Sequence, residues 1–152
     1  MNLLKGFLAA ALLAVLPGVK AESSKTEAPV DMVVYRSPTC GCCEKWLAHL
    51  KQNNFIIKDI VTDDVQAIKD KYGVSPEMAS CHTAIVNGYV VEGHVPASDI
   101  KNLLKTKPAI VGIAVPGMTV GTPGMEMGDK KEPYNVMSFD SQNHIAVFNS
   151  YK

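Results

Sequence analysis

Asp31–Leu50, DMVVYRSPTCGCCEKWLAHL, is the stretch on which the fold turns. Met32 to Tyr35 are β-branched, aromatic or long and apolar, so Asp31–Arg36 is predicted as a strand. Ser37-Pro38-Thr39 breaks it. From Cys42 to Asn53 the apolar residues Trp46, Leu47 and Leu50 recur at three- and four-residue spacing, with Lys45, Lys51 and Gln52 between them, which predicts a helix. Cys40-Gly41-Cys42-Cys43 therefore sits where a strand hands over to a helix.

The rest of the chain extends this pattern. Phe55–Ile60 reads as a second strand. Asp63–Tyr72 reads as a second helix, capped by Asp63 or Thr62, with Val65, Ile68 and Tyr72 on one face and Gly73 as its stop. Thr83–Val86 and Tyr89–Glu92 flank Asn87-Gly88, a strong signal for a two-residue hairpin turn. Pro96–Lys105 is predicted as a third helix. The order β-α-β-α-β-β-α predicts an α/β fold: a thioredoxin-like mixed sheet flanked by helices on both faces. Ala109–Gly128 holds five of the eleven Gly, two Pro and three Met, and reads as an ordered Gly/Pro/Met-rich loop. Asn135–Phe139 and His144–Tyr151 form a predicted C-terminal β-hairpin across Asp140–Asn143.

Upstream of the first strand the reading changes character. Met1–Ala21 carries an early Lys5, then an apolar run of eleven residues from Gly6 to Leu16, then Pro17-Gly18 and the small residue Ala21. This is the anatomy of a secretory signal peptide. The run falls short of the ~20 residues that a spanning helix needs, so no stable membrane insertion is expected. The predicted organisation is a signal peptide over 1–21, a flexible leader over 22–30 and one thioredoxin-like domain over 31–152, in the periplasm. Cleavage after Ala21 removes two of the 15 basic residues and none of the 15 acidic ones, leaving a net charge of −2. With no Lys/Arg cluster, nucleic acid is excluded as a partner.

The four cysteines decide the chemistry. Thiolates at a helix N-terminus face unpaired N–H groups and the positive end of the dipole, which lowers their pKa. That serves either thiol–disulfide exchange or soft-metal binding, and Cys40 with Cys43 alone does not separate the two. Three features lean towards metal. Cys42 adds a third thiol inside the pair, inviting wrong disulfides but suiting a cluster. Cys81-His82 falls before the third strand, where redox members of this fold carry a cis-proline. Met118, Met125 and Met127 lie in a loop rather than in a core segment. Thiolate, imidazole and thioether together form the ligand set of Cu(I). Zinc is the rival, but adjacent Cys42-Cys43 fits a standard tetrahedral site poorly.

Tyr35–Leu50 (YRSPTCGCCEKWLAHL), Ser80–Ile85 (SCHTAI) and Val111–Gly128 resemble the CopG family of exported, thioredoxin-like copper-resistance proteins. The resemblance covers most of the chain after Asp31. It implies copper, mainly Cu(I), held by Cys40, Cys42, Cys43 and Cys81, with His82, Met125 and Met127 as further metal ligands. It also implies copper efflux or other periplasmic copper-handling proteins as partners. A thiol–disulfide or copper oxidoreductase using the Cys40–Cys43 pair is the alternative; no catalytic residue is assigned.

Other residues have plainer readings. Cys40 and Cys43 alone could form a structural disulfide, and Cys81 could pair with one of the cluster. His49 reads as a surface histidine; His94, at the end of the fourth strand, and His144, at the start of the last, could approach the site but read more simply as surface residues too. Met32, Met78 and Met137 read as core filling, and Trp46 as a core residue that also shields the cysteines from water.

Overall fold

The computed structural model describes residues 27–152. The expected signal peptide over 1–21, and residues 22–26 of the leader, lie outside the described residues. The elements run β1 (Val30–Arg36), α1 (Gly41–Gln52), β2 (Phe55–Val61), α2 (Val65–Lys71), β3 (His82–Val86), β4 (Tyr89–Glu92), α3 (Ala97–Thr106), β5 (Gly112–Ala114), β6 (Tyr134–Phe139) and β7 (Ile145–Tyr151). All seven strands join one sheet in the order β2-β1-β3-β4-β5-β6-β7. β1 runs parallel to β2 and antiparallel to β3. β3 and β4 form the hairpin expected at Asn87-Gly88, both of whose residues adopt positive φ. The molecule is thus a mixed α/β protein.

Alternation along the strands divides two cores. Ala84, Val86, Val91 and Ile113 face Trp46, Leu47 and Leu50 of α1 and Ile100 and Leu103 of α3. Val90, Ala114 and Phe139 face the other way, onto Val74 and Met78 in the segment after α2. Trp46 and Leu50 are fully buried, as the helical spacing requires.

Three readings need correction. Part of Ala109–Gly128 is a strand: β5 lies mid-sheet, parallel to β4 and antiparallel to β6. It was hidden because three residues are too few to show alternation, and because Gly112 reads as loop. That glycine is there for contact, since a Cβ on it would stand 2.1 Å from the Val90 carbonyl oxygen. The second helix is capped by Asp64, whose carboxylate accepts from Ala67 N at 3.0 Å, rather than by Asp63 or Thr62. And the residue that α2 buries is Lys69, not one of the apolar trio, which is only half-buried.

Candidate metal centre

β1 ends at Arg36, and the turn that follows delivers Cys40 as the N-cap of α1. The Cys40 side chain makes no capping bond, and the Gly41 N–H donates to Thr39 O at 3.2 Å. Cys42 is half-buried and Cys43 wholly buried. The loop before β3 brings in Cys81. The four sulfurs lie within 4.8 Å of one another. Cys40 and Cys43 are joined by a disulfide, with Cα atoms 5.3 Å apart. Cys42 and Cys81 are free thiols. Cys42 Sγ lies 3.5 Å from Cys40 Sγ and 4.0 Å from Cys81 Sγ.

Two imidazoles complete the group. His82 is fully buried; its Nε2 donates to the Gly93 carbonyl at 2.9 Å. That bond leaves the lone pair on Nδ1, which faces Cys81 Sγ at 3.2 Å and Cys43 Sγ at 3.3 Å. His94 is also fully buried, and its Nδ1 donates to the Pro123 carbonyl at 2.8 Å. Its Nε2 lone pair therefore faces Cys81 Sγ at 3.1 Å. Cys81, His82 and His94 form a second convergent set that shares its sulfur with the first. A backbone carbonyl on the far nitrogen fixes the tautomer and orients the ring, as it does for metal-binding histidines.

His94 corrects the sequence reading, which placed it at the surface. His144, at 73 % side-chain exposure, is at the surface as expected. His49 is only half-buried, and its Nε2 accepts from Ala97 N at 3.1 Å, at the start of α3.

Burial also sets the charge states. Burial first, and Cys42 second, push the Cys81 thiol up to about 12. Burial, then the neighbouring His94, hold His82 well below the ordinary imidazole range. Burial lowers His94 as well. Without a cation the site is thus a neutral thiol between two neutral imidazoles whose lone pairs point inward.

Two packing contacts close it off. The Trp46 ring lies 4.2 Å from the His82 ring, centroid to centroid, and Trp46 Nε1 donates to Val95 O at 2.9 Å. The Gly/Pro/Met-rich loop lies over the first turn of α1. A Cβ on Gly124 would stand 2.9 Å from Cys42 O and 3.2 Å from His94 Nδ1. Met125, next along, is half-buried, whereas Met127 and Met118 are 63 % and 52 % exposed.

As a donor set, four sulfurs and two imidazole nitrogens suit a soft or borderline cation and no hard one. Among the described residues, no helix is long and apolar enough to cross a membrane.

A family profile described as "Protein of unknown function, DUF411" matches residues 78–125, which contain Cys81, His82 and His94. No curated protein gives a significant match. Two solved structures do. One, titled "Copper resistance protein copG- Form 2", is 44 % identical with a TM-score of 0.78, over 82 % of this chain and 99 % of its own. The other, "Copper resistance protein copG- Form 1", is 45 % identical with a TM-score of 0.77, over 81 % of this chain and 98 % of its own. Likeness of this extent, reaching over nearly the whole of both relatives, makes this chain a member of the CopG family of copper resistance proteins.

Proposed function

We propose that this chain is an exported copper-binding protein that holds Cu(I) for copper resistance and homeostasis. The observation that carries the reading is the convergence on Cys81. Sulfurs from the β1–α1 turn and two inward-facing imidazole lone pairs surround the same thiol. Cys40, Cys42, Cys43, Cys81, His82 and His94 are the ligands we assign, with Met125 and Met127 at the loop as thioether donors for an arriving ion. Full use of the four sulfurs requires the Cys40–Cys43 bridge to be open. Two electrons and two protons convert it to two thiols, and binding then displaces thiol protons.

The deciding experiment is anaerobic titration of reduced, metal-free protein with Cu(I). Uptake of more than one Cu(I) per chain, with thiolate-to-copper ultraviolet absorption, is the expected result. Protein that takes up none sinks the proposal.

The bridge favours a second reading, a thiol–disulfide or copper oxidoreductase. Cys40 and Cys43 are bridged at the start of α1, where a reversible dithiol–disulfide couple could act without the other two cysteines. Insulin reduction that persists without Cys42 and Cys81 is the outcome that selects it.

We further read β1 to α3 as a thioredoxin-like unit extended by β5, β6 and β7. Its support is the strand order β2-β1-β3-β4, with a parallel first pair, an antiparallel last pair and the cysteine pair at the β1–α1 junction. Residues 1–21 are the proposed export signal, which places the mature protein in the periplasm beside copper efflux or other copper-handling proteins. Mass spectrometry of the periplasmic fraction tests this, with a mature chain beginning near Glu22 as the expected result.

A further inference from the structure

A buried ionic network lies beside the sulfur cluster. Lys69 of α2 is 5 % exposed and Glu92 of β4 is 0 % exposed, and the two form an ion pair. Thr83 of β3 completes the triangle: its hydroxyl donates to Glu92 Oε2 at 2.6 Å and accepts from Lys69 Nζ at 3.0 Å. Glu92 Oε1 also reaches outside the triangle, accepting the Ser80 backbone N–H at 2.7 Å.

Stability alone gives no reason for this network. Desolvating two charges is costly, and well-packed apolar residues often replace such a pair without loss. Its placement is informative. Ser80 immediately precedes Cys81, and Thr83 immediately follows His82. His94 lies two residues beyond Glu92 on the same chain segment. One carboxylate thus holds the Ser80 backbone on one side of Cys81-His82 and the Thr83 side chain on the other, and sits on the strand that leads to His94. The turn it grips, Glu77–His82 (EMASCH), contains no proline to stiffen it. Gly93 N donates to His82 O at 3.1 Å, which ties the two strands together at the same level.

We propose that Glu92, neutralised by Lys69, is a positioning residue for the metal centre: through Ser80 N–H and Thr83 it sets Cys81 Sγ between the His82 and His94 lone pairs. The inference rests on the copper-binding reading above. Lys69 is needed because a buried carboxylate left without a counter-charge is strongly destabilising, and Lys69 Nζ is the cation paired with it.

Two full-length double variants separate positioning from packing. Lys69→Met/Glu92→Gln keeps an oxygen for Ser80 N–H and an N–H for Thr83 without burying a net charge. Lys69→Met/Glu92→Met keeps the volume and removes the acceptor. Each is reduced, loaded with Cu(I), and measured by competition with a chromophoric Cu(I) chelator, by thiolate-to-copper absorption and by thermal melting. The Gln variant is expected to hold Cu(I) within about threefold of wild type, and the Met variant to lose about tenfold or more with a shifted absorption band while still melting cooperatively. Folded variants that bind alike, whether both as wild type or both weakened, overturn the proposal. Should the Met variant not fold, a loss of about tenfold in the Gln variant overturns it just as well, because the acceptor is still present. Wild-type protein that takes up no Cu(I) overturns the copper reading itself, a result distinct from either of these.

Discussion

Cys81 and His94 face each other at the open end of the β3–β4 hairpin, with Sγ and Nε2 3.1 Å apart. The Nδ1–H bond to Pro123 O leaves Nε2 no role except as acceptor or ligand. We therefore expect His94→Ala to weaken Cu(I) retention by about ten- to a hundredfold, read by chelator competition on reduced protein. Unchanged retention in a folded His94→Ala variant removes the imidazole from the site.

The same histidine carries the loop that covers it. Gly124 has φ +87°, and a Cβ there would stand 2.8 Å from Trp46 N as well as against Cys42 O. Both contacts are backbone and cannot swing aside. Gly124→Ala is expected to cost about 1–3 kcal/mol in urea unfolding, from positive-φ strain and displacement of the loop. Retention of Cu(I) should fall with it, because Pro123 O then no longer orients His94. A variant as stable as wild type shows that the loop does not dock through Gly124.

Most of the sheet was legible because its strands and helices are long enough to show a period. β5 was not: its place depends on the backbone of Gly112 lying against Val90, a contact between residues far apart in sequence. The burial of Lys69 was not legible for a related reason. A charged residue reads as solvated until its partner is known, and Glu92 lies 23 residues away. At the site, Cys40, Cys42, Cys43, Cys81 and His82 stood out because they cluster in the sequence itself. His94 does not, yet its signal was present. The two-residue turn pairs Val86 with Tyr89, and stepping five residues outward along both strands sets Cys81 opposite His94. Register, rather than composition, was the missing step.

His49 gives a pH prediction away from the metal centre. Its Nε2 accepts the Ala97 N–H, and burial lowers its pKa despite the opposing pull of Glu126. Protonation destroys the acceptor and is easier in the unfolded chain, so acid favours unfolding. The His49 contribution is complete above the ordinary imidazole range, near 6.5, and is lost as the pH falls through the lowered folded value. His82 and His94 act in the same direction, so the test is a difference. Unfolding free energies measured between pH 7.5 and 5 should decline less steeply for His49→Gln than for wild type. Parallel curves show that the Ala97 contact carries no linkage.

The disulfide yields the last prediction. With Cys40 and Cys43 bridged, only Cys42 and Cys81 remain as free thiols, so denatured oxidised protein should titrate two thiols and reduced protein four. If all four sulfurs hold copper, Cu(I) capacity should fall on oxidation and return when a thiol reductant opens the bridge. A residual capacity after oxidation is expected at Cys81, His82 and His94, whose donor atoms the bridge does not consume. Replacing Cys42 or Cys81 by Ser should lower capacity in the reduced protein, whereas a disulfide exchanger working through Cys40 and Cys43 alone would keep its turnover in both variants. Equal Cu(I) capacity in oxidised and reduced protein removes Cys40 and Cys43 from the ligand set, because a sulfur bonded to sulfur has no thiolate to offer.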